Sequence, residues 1–192
     1  YQAIDIEAIK KKVMRGLSEP AGIITFPGVN GYTKELDARL PYDVDAAKKL
    51  LADAGYPNGF DVELRCPNDR YVNDEAICTA VVGMLGKIGV NVSLFAQTKS
   101  KHFKELKDNQ GDFYMLGWGV PTLDSHYVFH YLYESGASWN KVNFSNSEVD
   151  AAIRVMEGEV DLDKRNEAIA KAWKIVKDDI SYLPLHLSLI HI

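Results

Sequence analysis

Two hydrophobic periodicities alternate along this sequence, and no other feature constrains its fold as strongly. Apolar residues recur at helical spacing over residues 5–17, 43–55 and 73–89. Apolar and polar residues alternate over residues 61–66 and 90–94, as they do in half-buried strands. Because helices and strands follow one another in turn, the pattern predicts an α/β fold.

The second half of the sequence continues this order. A short helix is predicted over residues 101–108, and the apolar run 113–118 predicts a strand covered on both faces. Two more helices are predicted, one beginning at Asn146 and one over residues 162–180. Alternating leucines over residues 183–189 then predict a last strand. We therefore expect a mixed β-sheet with flanking helices.

Residues 18–41 interrupt the pattern, because they are rich in glycine and proline and carry no sustained period. A loop of this length in a compact domain is usually functional or crosses between subdomains, so we predict an irregular crossing segment. The 192 residues suffice for one large domain or two small ones. The net charge of −5 disfavours a nucleic-acid partner, and the apolar runs are too short to span a bilayer.

The two cysteines of the chain give little support to thiol chemistry. Cys66 and Cys78 have no histidine base beside them in sequence, and two cysteines exclude a four-cysteine zinc site. Cys66 is predicted at a strand end and Cys78 early in the next helix. They are either buried thiols or a disulfide, and the sequence leaves both interpretations open.

Three residues have the spacing of metal ligands on a helix. His126, His130 and Glu134 are four residues apart, so a helix would present them on one face. The zinc-protease pattern needs a glutamate directly after the first histidine, and Tyr127 stands there instead. Such sets arise often by chance, so we interpret the three as an ordinary exposed face. No metal and no cofactor is predicted.

The loop after the apolar run 113–118 is the most informative candidate for a binding site. An apolar strand leads to Trp118 between Gly117 and Gly119, and a loop containing Pro121 follows. Ligands in open α/β folds collect outside the carboxyl ends of strands, and glycines let a ligand approach closely. A core tryptophan followed by an ordinary turn is the competing interpretation.

The sequence resembles a known family over nearly its whole length. Residues 42–60, YDVDAAKKLLADAGYPNGF, look like a hallmark of the peptide-binding family (family 5) of solute-binding proteins, which serve bacterial ABC importers. Further segments agree with that family in the expected order: GKIGVNV at 86–92, GWGVPTLD at 117–124, NFSNSEVD at 143–150, and DKR at 163–165 leading to Pro184.

The resemblance implies a fold and a function. It implies that residues 1–192 are the C-terminal lobe of a larger protein with a two-lobed periplasmic binding protein-like fold (type II, cluster C). A chain without an initiator Met that ends in the apolar stretch 183–192 fits such a fragment. The implied protein is no enzyme. It captures peptides or a related small solute in the periplasm, or outside a Gram-positive cell, and its partners are the N-terminal lobe and the ABC permease.

The resemblance also implies where the ligand binds. Many peptide-binding members carry an acidic residue three positions after the cleft tryptophan, where it pairs with the α-amino group of the ligand. Pro121 occupies that position here, while Asp124 matches a later acidic position. We predict a ligand-binding surface from Trp118, Gly117, Gly119, Pro121, Asp124, Tyr127, Trp139 and Asn140. The alternative function is an isolated α/β enzyme domain, metal-dependent through His126 and His130.

Overall fold

The computed structural model describes residues 1–188, and these residues form two compact units. Unit 1 contains Tyr1–Pro20, Leu40–Gly117 and, of the described residues after unit 2, His186–Ser188. Unit 2 contains Ala21–Arg39 and Trp118–Leu185. None of the helices within the described residues is long and apolar enough to cross a membrane.

Unit 1 is built on a three-stranded parallel sheet. The central strand β2 pairs with β3 on one side and with β4 on the other, and Leu64 lies opposite Leu94 and Phe113. A separate antiparallel pair joins β1 to β5. In chain order the elements are α1 (Ile6–Ala8) continued by a π-helical turn (Ile9–Val13), β1 (Ser18–Pro20), α2 (Val44–Asp53), β2 (Phe60–Pro67), α3 (Asp74–Gly86), β3 (Val90–Gln97), α4 (Lys99–Lys107), β4 (Phe113–Tyr114) and β5 (His186–Ser188).

Local sequence signals explain where these elements begin and end. The Asp43 carboxylate accepts a hydrogen bond from the Ala46 amide at 2.8 Å, so it caps the first turn of α2. Gly55 adopts a φ of +90° just after this helix, a conformation that glycine favours. A side chain at Gly59 would overlap the carbonyl group of Gly89, so the start of β2 needs a glycine there.

A disulfide ties the sheet of unit 1 to its crossover helix. Cys66 in β2 is bonded to Cys78 in α3, with their Cα atoms 6.6 Å apart. Both residues are buried together with Leu64. Of the two interpretations that the sequence left open, the structure therefore contains the disulfide.

Unit 2 is helical around an aromatic core. Its elements are α5 (His126–Val128) continued by a π-helical turn (Phe129–Tyr133), α6 (Ser147–Gly158) and α7 (Leu162–Asp179), with α6 and α7 capped by the side chains of Asn146 and Asp161. Trp173 is 1% exposed, and its ring lies 4.6 Å from that of Phe129. Other buried members of this core include Ile23, Val128, Leu132, Tyr133, Val149, Ile153, Ile169 and Val176.

The predicted elements occur in the predicted order, and several differ in extent. The helix predicted over residues 5–17 is shorter and partly π-helical. The run 113–118 forms only a two-residue strand, and residues 18–20 of the predicted irregular segment are a strand. Leu189, at the end of the last predicted strand, lies outside the described residues.

Candidate functional site

Four half-buried aromatic side chains meet on unit 2 and form what we call the aromatic cluster. The Trp118 ring lies 5.9 Å from Tyr127, 6.0 Å from Tyr131 and 6.0 Å from Trp139 between centroids. The rings of Tyr127 and Tyr131 lie 4.7 Å apart. These separations are those of interacting aromatic pairs, so the cluster is one continuous aromatic patch.

The indole N–H of Trp118 is an unsatisfied hydrogen-bond donor. Nε1 of Trp118 is buried, and no group among the described residues accepts its proton. A buried donor without an acceptor is costly to the protein and rarely persists without a reason. The indole ring itself remains half-exposed, so its aromatic face is accessible to a ligand while its N–H is not.

The residues on either side of Trp118 differ in how much space they leave. A side chain at Gly117 would meet the Tyr71 ring at 2.6 Å, and the Tyr71 hydroxyl donates a hydrogen bond to the Gly117 carbonyl at 3.3 Å. Gly119 has open space where a side chain would be. Pro121 is exposed. Gly119 and Pro121 therefore leave the backbone beside the tryptophan accessible.

Asp124 is engaged by other groups of unit 2. Both of its carboxylate oxygens accept hydrogen bonds from the Arg165 guanidinium at 2.8 Å, and the amide of His126 and the side chain of Asn30 also donate to it. Burial by itself would raise the pKa of Asp124, but these hydrogen bonds outweigh burial and hold the pKa below its ordinary 3.8. This ionised carboxylate is already satisfied by the protein.

Asn140 also serves the protein itself. Its side-chain amide donates to the carbonyl groups of Glu134 and Phe144 at 3.0 Å and 2.7 Å, and its oxygen accepts from the Phe144 amide. Asn140 is buried, and both amide protons are used. Asn140 therefore stabilises the loop between Glu134 and Phe144, which also contains Trp139.

Tyr131 was not among the predicted ligand-binding residues, although it belongs to the aromatic cluster. It lies four residues after Tyr127, and on a helix this spacing places two side chains on the same face. The signal was present in the sequence. Its use required knowing that this short segment is helical.

The histidine pair predicted from spacing is present, and the carboxylate of Glu157 lies beside it in addition to that of Glu134. The rings of His126 and His130 stack with centroids 5.6 Å apart. Oε1 of Glu157, from α6, lies 3.4 Å from Nε2 of His126 and 3.9 Å from Nδ1 of His130. Glu134 follows the end of the helix, and its Oε2 lies 2.8 Å from Nδ1 of His130.

Two curated relatives are similar over most of this chain. It is 27% identical over 191 residues to the heme-binding protein A of Haemophilus influenzae, covering 95% of this chain and 34% of that protein. It is 26% identical over 182 residues to the dipeptide-binding protein of Escherichia coli, covering 92% of this chain and 34% of that protein. The chain thus spans about a third of the length of these relatives.

Solved structures have the same fold. A dipeptide-binding protein from Pseudoalteromonas, in complex with Met-Leu, superposes with a TM-score of 0.88 at 25% identity, covering 97% of this chain and 38% of that one. HbpA2 from Haemophilus parasuis also gives a TM-score of 0.88, at 22% identity and with the same coverage. The predicted α/β fold of periplasmic binding proteins is confirmed.

Residues 1–140 match the sequence profile described as bacterial extracellular solute-binding proteins, family 5, middle. The match covers well over half of the chain, and it includes Trp118, Tyr127, Tyr131 and Trp139. Together with the relatives and the shared fold, it establishes that this chain belongs to family 5 of the bacterial extracellular solute-binding proteins.

Proposed function

We propose that this chain is the ligand-binding C-terminal lobe of a solute-binding protein. That protein captures peptides or a related small solute and delivers the cargo to an ABC permease. Its other partner is the N-terminal lobe of the same protein, and it works in the periplasm or at the outer surface of a Gram-positive cell. Relatives named for dipeptide and glutathione binding support a peptide-like cargo. Another relative is named for heme binding, so the proposed cargo includes small solutes other than peptides.

The observation that carries this proposal is the aromatic cluster with its unsatisfied indole donor. Binding sites for small molecules combine aromatic surface with a few polar groups that fix orientation. The faces of Trp118 and its three neighbours supply the aromatic surface. Nε1 of Trp118 is buried without an acceptor, and a rotation of the indole ring would let it donate to a peptide carbonyl of the ligand.

The surroundings of Asp124 support a limit on the cargo. A buried α-ammonium group needs a carboxylate partner, because an unpaired buried charge costs several kcal/mol. Pro121 has no charge, and both oxygens of Asp124 are bound by Arg165. We therefore propose that the cargo either lacks a free α-amine or has that amine bound by the other lobe.

The alternative of a metal-dependent enzyme domain has less support. The family to which the chain belongs is one of solute-binding proteins and not of enzymes. The bidentate pair of Asp124 and Arg165 leaves that carboxylate little capacity to act as an acid or base.

Native mass spectrometry on the full-length protein tests the proposal. We expect a peptide or another small solute to co-purify in a stoichiometric complex, and to be released unchanged on denaturation. A protein that binds nothing from a peptide and small-solute library, or that converts a bound compound to a product, would contradict the proposal.

A matched peptide panel tests the limit on the cargo. Free and N-acetylated di- to pentapeptides are titrated into the full-length protein and into its Asp124→Asn variant. We expect the variant to retain the preference of the parent protein for free or acetylated peptides. If acetylation abolishes binding and Asp124→Asn does so too, Asp124 is the amine partner and the limit is wrong.

A further inference from the structure

A second set of polar side chains on unit 2 lies beside the aromatic cluster and is not used by the proposed function. One donor atom from each of His126, His130 and Glu157 lies within 4.8 Å of the other two. Donor atoms around a tetrahedral zinc ion, with bonds of about 2.0–2.1 Å, are about 3.4 Å apart. The distance of 3.4 Å from His126 Nε2 to Glu157 Oε1 already fits, and the 3.9 Å from His130 Nδ1 to the same oxygen exceeds it by about half an ångström.

The nitrogen of His130 that faces the carboxylates makes no good hydrogen bond. Nδ1 of His130 is buried, and within the described residues it has no hydrogen-bond partner of favourable geometry. The carboxylate oxygens of Glu134 and Glu157 nevertheless lie 2.8 Å and 3.9 Å from it. An imidazole nitrogen enclosed among anionic oxygens is an environment that a cation would satisfy.

Arg165 holds the two halves of this set in place. Its guanidinium binds Asp124, and Asp124 in turn accepts a hydrogen bond from the backbone amide of His126 at 2.9 Å. Nε of Arg165 donates to the carbonyl of Met156 at 2.8 Å, directly before Glu157. One half-buried side chain therefore fixes the backbone of the first histidine relative to that of the carboxylate, and a metal site requires such support.

We propose that His126, His130 and Glu157 bind a divalent transition-metal ion of the zinc type. Imidazole nitrogen with carboxylate oxygen is a donor set that zinc accepts, whereas magnesium prefers oxygen alone. With Glu134 beside His130, two neutral imidazoles and two carboxylates balance the charge of a divalent ion. None of the three proposed ligands belongs to the aromatic cluster, although the His130 ring packs on Tyr131 at 4.9 Å.

Calorimetric titration of ZnCl₂ into the metal-free protein tests this site, with any polyhistidine tag removed. We expect one equivalent to bind, and binding to weaken at least about tenfold in His126→Asn and in Glu157→Gln. Arg165→Met removes none of the proposed zinc ligands. We expect it to weaken zinc binding because His126 and Glu157 are no longer held in position. The matched control is Glu167→Gln, an exposed glutamate of α7, which should bind zinc like the parent.

A spectroscopic measurement separates loss of the site from loss of the fold. Co²⁺ in a tetrahedral site absorbs in the visible range, and we expect this absorption in the parent and in Glu167→Gln but not in Glu157→Gln. Circular dichroism shows whether each variant is folded, and MgCl₂ should not displace the zinc. No stoichiometric zinc binding by the parent, or equal binding by a folded His126→Asn, His130→Asn double variant, would overturn the proposal.

Discussion

The two units of this molecule hold their elements together by different means. Unit 1 has a short parallel sheet, and Leu64 packs there with a disulfide between strand and helix. Unit 2 has no strand among its described residues and packs its helices on a core that includes Trp173 and Phe129. One unit is covalently linked across its layers, and the other relies on large aromatic side chains.

The difference matters for function, because the aromatic packing of unit 2 continues to the surface and the disulfide of unit 1 does not. The aromatic core of unit 2 is buried, while Trp118 and Trp139 pack against it and remain half-exposed. A rigid core can thus present aromatic side chains in fixed positions, as a binding site requires. In unit 1 the corresponding linkage is buried between β2 and α3.

Removal of the central side chain of unit 2 has the largest expected effect. Trp173 is buried, and its indole donates to Ser125 Oγ at 3.1 Å. Trp173→Ala leaves a cavity and removes one of the two hydrogen bonds of Ser125 Oγ, which still donates to the Asn30 carbonyl. The free energy of unfolding should therefore fall by about 3–5 kcal/mol. Denaturant unfolding monitored by circular dichroism measures this loss. A loss under about 1 kcal/mol would show that the aromatic core is dispensable.

Removal of the disulfide should lower the free energy of unfolding of unit 1 by the amount typical of a structural disulfide. Cys66 and Cys78 are 12 residues apart, and closing a loop of that size is worth about 3 kcal/mol. A Cys66→Ala, Cys78→Ala variant should unfold at correspondingly lower denaturant. Added reductant should lower the stability of the parent and leave the variant unchanged. If reductant has no effect on the parent, the bridge is not what stabilises unit 1.

The pair of Asp124 and Arg165 predicts an acid response for unit 2. Because the folded-state pKa of Asp124 lies below its ordinary 3.8, its stabilisation is complete above that value. It is lost as the pH falls through the lower, folded-state value. Arg165→Met should reduce the free energy of unfolding by about 1–3 kcal/mol at neutral pH and flatten the loss in acid. A difference in the free energy of unfolding between parent and variant that stays constant down to low pH would contradict this.

His102 predicts a smaller response at higher pH for unit 1. Burial lowers the pKa of His102 below its ordinary 6.5, although the Met115 carbonyl at 3.0 Å and nearby Glu105 oppose that shift. The unfolded chain therefore takes up this proton first, so stability should decline as the pH falls below 6.5. His102→Gln should remove that part of the decline. An unchanged pH profile in a folded His102→Gln would assign the decline to other groups.

Local patterns predicted most of the fold and only part of the candidate site. Asp43 and Gly55 mark the limits of α2, and the alternation around Leu64 marks a strand, because caps and periodicity are local. The choice between thiols and a disulfide needed the distance between Cys66 and Cys78, which no local pattern contains.

The residues that sequence reasoning missed are those defined by long-range contacts. The sequence predicts Asp124 on the ligand surface but does not indicate its partner Arg165, which comes from α7. Glu157 joins the histidine pair from α6, whereas the spacing rule could only suggest Glu134. Helical periodicity identifies neighbours on one helix and says nothing about those on the next.

The central claim is that Trp118 contacts the ligand while Trp173 supports the fold, and one pair of measurements on Trp118→Ala tests it. Affinity for the cargo and free energy of unfolding are measured on the full-length protein, with Tyr56→Ala, an exposed aromatic of unit 1, as control. We predict that Trp118→Ala weakens binding about tenfold or more and costs much less stability than Trp173→Ala, while Tyr56→Ala leaves affinity unchanged. Unchanged affinity in Trp118→Ala, with a loss of stability equal to that of Trp173→Ala, would contradict the account.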